Sequence, residues 1–176
     1  MKIKIVIVTL TFLLISGCAG SKMSVIQNTK SLSFTVNRIA IAPGSGPFGD
    51  AIGVELFNIG FQVVDVNQTI AIAGREGLKE FELYTPKGYA TLRGEGIDVV
   101  ITAKTVDVAG TPESASVRVI DTANGNLLAG ITWQNAWGGK RGSMADRTMR
   151  KNLSEAAQDI AKELSNRLRS GSDVKR

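Results

Sequence analysis

GIDVVITAKTVDVAGTPESASVRVIDTANGNLLAGITWQNAW, residues 96–137, carries three strand-like runs in succession and decides the fold class. Ile97-Asp98-Val99-Val100-Ile101-Thr102-Ala103 is short, β-branched and apolar on both faces, the pattern of a central strand. Lys104 to Ala109 continues or bends it. Ser114–Ile120 and Leu127–Trp137 then alternate apolar and polar residues around Asp121-Thr122-Ala123-Asn124-Gly125-Asn126, whose Asn-Gly pair favours positive φ and so a hairpin. Successive antiparallel strands of this kind exclude a purely wound parallel sheet.

Upstream, strands alternate with helices. Phe34-Thr35-Val36 and Arg38-Ile39-Ala40-Ile41-Ala42 predict one or two strands stopped by Pro43. A short helix is predicted over Asp50–Asn58, a strand over Phe61–Val66, a helix capped by Asn67 running to about Leu78, and a third helix over Pro86–Arg93. Downstream, Met149, Leu153, Ala156, Ala157, Ile160, Ala161, Leu164 and Leu168 form one stripe at steps of three and four. They predict a single long amphipathic helix from Met144 to Arg169, started by Ser143 and Asp146. The expected architecture is α+β, a mixed sheet with packed helices in the order β-α-β-α-(α)-β-β-β-α.

The chain has 176 residues, no histidine and one cysteine. Lacking histidine, it lacks the usual general base and the commonest metal ligand. One cysteine excludes an internal disulfide or a cysteine-cluster metal site, and no cofactor or metal is expected. The flanks explain the cysteine. Lys2 and Lys4 precede an apolar run from Ile5 to Ile15, too short for a stable membrane span, followed by Ser16, Gly17 and Cys18. Residues 1–17 read as a signal peptide. Residues 18–33 read as Cys18 with a flexible tether, 34–170 as a single domain, and 171–176 as a charged tail.

Leu14-Ile15-Ser16-Gly17-Cys18 resembles the bacterial lipobox. The resemblance implies cleavage between Gly17 and Cys18, a diacylated thiol and an acylated amine on Cys18, enough acyl chains for stable anchoring. Ala19, rather than aspartate, after the cysteine implies sorting to the outer membrane, facing the periplasm. Without the two signal lysines the chain holds 19 basic and 16 acidic residues, net +3. Ten basic and five acidic residues fall between Lys140 and Arg176, so an anionic lipid surface or an acidic protein suits the tail better than nucleic acid.

Gly44-Ser45-Gly46-Pro47-Phe48-Gly49 is a G-x-G-x-x-G between a strand and a helix, with Asp65 ending the next strand, as in dinucleotide-binding folds. Against a nucleotide stand the helix of about nine residues, the N–H missing from Pro47, the hairpin that follows and the compartment. A second enzymatic reading, an envelope hydrolase, rests on Asp65, Asp98 and Asp121, each also suited to a turn or cap. A carrier needs a large apolar cavity, and ten aromatic residues among many small ones give no sign of one.

Three stretches together resemble the periplasmic α/β domain of CsgG-like curli-export lipoproteins and of the amino-terminal domain of TolB. They are Ile39–Pro43 with the Gly-rich loop, helix and Gly60–Asp65; Gly88–Ile101; and Ala115–Ala129, followed by the long helix. The resemblance spans roughly residues 34 to 169 and implies periplasmic binding or assembly without shared catalytic residues. The pore-forming members' long membrane strands have no counterpart here. The resulting expectation is a non-catalytic envelope lipoprotein that associates with itself or with a secretion, transport or surface-structure complex. Trp133, Trp137, Arg147, Arg150, Lys151 and Arg167 are its candidate contacts. The two tryptophans, four apart on one predicted strand, either anchor a partner or cover the core under the last helix.

Overall fold

The computed structural model describes residues 21–27, 34–136, 140 and 142–170. Its elements run β1 Lys22–Gln27, β2 Arg38–Ile41, α1 Gly46–Ile59, β3 Gln62–Val64, α2 Val66–Arg75, a 3-10 turn Glu80–Tyr84, α3 Pro86–Gly94, β4 Val99–Val108, β5 Thr111–Asp121, β6 Leu127–Gln134, α4 Met144–Met149 and α5 Leu153–Ser170. The strands form one mixed sheet in the order β1-β6-β5-β4-β2-β3. β2 pairs in parallel with β3 and β4, and every other pairing is antiparallel. The chain leaves β2 through α1 to β3 on one side, and returns over the opposite sheet face through α2 and α3 to β4 on the other. Travelling in opposite directions over opposite faces, the two crossovers share one hand.

Alternation along the strands divides the core in two. Ile39, Ile41, Val99, Ile101, Val117, Val119, Ile131 and Trp133 pack against α1 and α5. Ala40, Ala42 and Val100 pack on the other face against Ile72, Ala73, Leu83 and Leu92. This second layer covers only the β2–β4 half of the sheet. Over β5, β6 and β1 the same face is solvent-facing and bears Ser116, Arg118, Thr132, Gln134, Lys22 and Ser24. The clean polar alternation of the hairpin is thus the signature of a one-sided sheet.

The α+β architecture is as expected, with five local corrections. First, the stretch 18–33 is not wholly a tether: Lys22–Gln27 is an edge strand, in register from Lys22↔Gln134 to Gln27↔Ala129, with Met23 and Val25 against the core. Second, residues 34–36 form no strand, although Val36 is buried. Third, α1 has 14 residues and starts at Gly46, because Pro47 suits a first helical turn whose N–H groups lack partners anyway. Fourth, Asp65, not Asn67, caps α2. Fifth, the last predicted helix is two. α4 ends at Met149, and α5 restarts behind a reciprocal cap in which Glu155 N donates to Asn152 Oδ1 and Asn152 N donates to Glu155 Oε2. Ser143 caps α4 as predicted, accepting from Asp146 N. Among the described residues, no helix is long and apolar enough to cross a membrane.

Candidate functional site

Gly17, Cys18 and Trp137 lie outside the described residues. The strand β6 ends at Gln134. Trp133 itself is fully buried under α5 and is no contact residue. Its Nε1 donates to Asp159 Oδ2, which also accepts from Ser21 Oγ at 2.7 Å and pairs with the Lys151 ammonium. Burial acts to raise the Asp159 carboxyl, but the hydrogen bonds from Lys151, Ser21 and Trp133 and the Lys151 charge outweigh it and hold the group below its usual range. Lys151 is therefore a structural cation.

Arg150 and Arg167 are also committed within the fold. Arg150 Nε donates to Asp146 Oδ1 at 2.9 Å, nearly buried, and Arg167 pairs with Glu163 one turn back on α5. Arg147 alone of the candidate cations is exposed with no described hydrogen bond or ion pair from its side chain. Because α4 and α5 are separate, these four cations do not make one basic helix face.

The three carboxylates of the hydrolase reading are not brought together. Asp65 caps α2 at the carboxyl end of β3. Asp98 lies at the opposite end of the sheet, where its Oδ2 accepts from Asn37 N and Arg38 N and its Oδ1 pairs with Arg93. Asp121 is buried nearby and shapes the β5–β6 turn, accepting from Ala123 N and Asn124 Nδ2. Each carboxylate organises backbone.

The Gly-rich loop does meet Asp65. Gly44, Gly46, Asp50, Val54, Phe57, Asp65 and Asn67 line a groove of about 630 Å³ beside the β3 edge. The short-helix objection to a nucleotide falls, since α1 has 14 residues. Another takes its place: the lining contains two carboxylates and no cation, a poor setting for a pyrophosphate. Gly49 serves packing. A Cβ there would lie 2.3 Å from Ser45 Cβ and 3.2 Å from Ile41 Cγ2.

A second groove, not anticipated from the sequence, opens where β4 runs on past the end of β2. β2 turns away at Pro43, and Ala103 N donates to Ser45 Oγ instead of to a strand neighbour. The gap, about 780 Å³, is lined by Phe81, Tyr84, Tyr89, Lys104, Arg118 and Glu80 among others. It sits at the carboxyl end of β2, against the middle of β4, and the chain reverses its direction of travel across the sheet between these two strands, the usual place for ligands in wound sheets. Phe81 is 67% exposed. The Tyr84 hydroxyl donates to Pro43 O, tying the 3-10 turn to the Gly-rich loop. Burial raises the pKa of both tyrosines, and Glu80 and Tyr89 push Tyr84 further, so both phenols stay protonated donors at neutral pH. Aromatic rings with two cations and one carboxylate suit the binding of a flat, partly anionic group. These residues come from four elements, the 3-10 turn, α3, β4 and β5, and no local motif announces them.

Among solved structures, the chain is similar to the PelC dodecamer from Paraburkholderia phytofirmans, at 13% identity and a TM-score of 0.48, covering 85% of this chain and 97% of that one. A point variant of the same dodecamer gives 17% identity and a TM-score of 0.46, covering 82% and 96%. The lipoprotein GNA1162 from Neisseria meningitidis gives 15% identity and a TM-score of 0.46, covering 73% and 96%. No protein-family profile and no curated protein sequence matches the chain.

Proposed function

We propose that this chain is a non-catalytic, lipid-anchored lipoprotein of the cell envelope. Cys18 carries the acyl chains at the periplasmic face of the outer membrane. The domain assembles with copies of itself or with a secretion, transport or surface-structure complex as an accessory module. One observation carries the reading: a short basic start, an apolar run and Ser16-Gly17-Cys18 stand immediately before a folded domain. The resemblance of its β-α-β opening and hairpin to CsgG-like and TolB-type domains supports the assembly role. With Trp133 in the core, the contact surface moves to Arg147 and to the groove of Phe81, Tyr84, Lys104 and Arg118.

Metabolic labelling with a palmitate analogue tests the anchor: the native chain takes up label and floats with membranes, whereas Cys18→Ala does neither. Crosslinking in intact cells tests the role. A discrete adduct, lost when Phe81 and Arg118 are both replaced by alanine, is expected; recovery of monomer alone would overturn the assembly reading.

A further inference from the structure

The distance between the proposed anchor and the fold is fixed by covalent geometry. Ser21 is held in place, its Oγ donating to Asp159 Oδ2, and β1 begins at the next residue. Only Ala19 and Gly20 separate Ser21 from Cys18. Three Cα steps reach at most about 11 Å. A domain so joined cannot stand off from the bilayer, and the end of the sheet at which β1 starts must face it.

That end is defined by the strand register. Lys22 pairs with Gln134, Gln134 with Ser114, and Ser114 with Val106, so these residues form one row across four strands. The β4–β5 turn at Ala109-Gly110 projects beyond the row. α4 is clasped to the same end. Asn135 Nδ2 donates to Pro112 O and to Lys151 O, and its Oδ1 accepts from Lys151 N, so the chain leaves and returns at one point. The exposed residues here combine apolar and cationic side chains. Met144 is 84% exposed and Val106 60%, and Lys22, Lys104, Lys140 and Arg147 are exposed around them. Of the acids here Asp107 is exposed, Glu113 is half-buried and Asp146 of α4 is buried against Arg150, so the four exposed cations outnumber them. Apolar tips ringed by lysine and arginine match the boundary between headgroups and acyl chains.

We propose that this end, with Met144 and Val106 at its tips, rests on the phospholipid headgroup surface and fixes the orientation of the domain. The inference rests on the acylation of Cys18. The aromatic–basic groove, which shares Lys104 with this end, then opens beside the membrane, while the β5–β6 turn points away into the periplasm.

The test uses the acylated mature protein, Cys18 to Arg176, in phosphatidylethanolamine–phosphatidylglycerol vesicles. Cys18 holds the chain's sole thiol, so acylation leaves an introduced cysteine as the only labelling site. Met144→Cys, Val106→Cys and Ala123→Cys are each labelled with an environment-sensitive fluorophore. Ala123, in the β5–β6 turn, stands more than about 20 Å along the strands from the membrane end. Lys140→Cys replaces either of the first two if it does not melt like the parent. Headgroup-attached nitroxide lipids should quench the labels at Met144 and Val106 several-fold more than the label at Ala123. Equal quenching at all sites, in protein that floats with the vesicles, overturns the orientation and leaves the anchor standing. Protein that fails to float, like Cys18→Ala, overturns the anchor and this inference with it.

Discussion

Two helical glycines show how a single residue's surroundings set the sign of a substitution. In an open helix, Gly→Ala stabilises by up to about 1 kcal/mol, because glycine loses more backbone entropy on folding. Gly74 in α2 is such a site, with nothing within 4 Å of a would-be Cβ. Gly88 in α3 is the opposite case: a Cβ would meet Glu82 O at 2.4 Å and Leu83 Cα at 2.5 Å. These are backbone atoms, which cannot move aside as a side chain does. Gly74→Ala should raise the melting temperature, whereas Gly88→Ala should cost about 1–3 kcal/mol or more by overpacking. Sequence offers no way to tell the two apart, since each is a glycine inside a short helix. Asp159 supplies a pH dependence at the same scale. Its pKa is lower in the fold than in the unfolded chain, so its stabilisation is in place above the ordinary carboxylate range and is lost as pH falls through the folded value. Asp159→Asn should therefore melt lower than the parent near neutrality. The difference should narrow on acidification, which a series of thermal melts across acid pH would measure.

At the scale of elements, the polar clasp at Asn135 explains why an uninterrupted apolar stripe makes two helices. Met149 and Leu153 keep helical spacing, so periodicity alone predicts continuity. Asn135 instead takes both the N–H and the C=O of Lys151, backbone groups that a continuous helix would have used internally. The restart was written locally in Asn152 and Glu155, three apart, and is recognisable as a capping box once sought. The clasp itself was not legible, because its partners Pro112 and Lys151 lie 23 and 16 residues away in the chain. Asn135 is buried, so Asn135→Ala strands several backbone groups at once. The expected cost is about 2 kcal/mol or more. Hydrogen exchange should rise at Lys151 and across α4 while the β2–β4 half of the sheet keeps its protection; unchanged exchange at Lys151 would show that the clasp is dispensable.

For the molecule as a whole, the decisive question is where the folded unit begins. Composition places the boundary near residue 34, because Lys22-Met23-Ser24-Val25-Ile26-Gln27 is short and carries an apolar residue on its outer face. Edge strands are often encoded this weakly, since only one side of the backbone and one face of the side chains gain from pairing. Met23 and Val25 nonetheless pack on the core, and Ser21 joins the buried Trp133–Asp159 cluster from the amino-terminal side. The folded unit therefore reaches back at least to Ser21, and two truncations separate the alternatives. A chain beginning at Ser21 retains every described contact and should unfold at the same denaturant concentration as the mature protein without its acyl chains. A chain beginning at Asn28 loses β1, leaves β6 as the edge and uncovers the half-buried Met23 and Val25 sites. It should lose about 2–3 kcal/mol, the value expected for two partly buried apolar side chains, and show a smaller m-value because less surface remains to be exposed on unfolding. If both truncations unfold alike, β1 adds nothing to the fold. The segment would then be the flexible tether that composition suggests, and the domain would be free to stand away from its membrane.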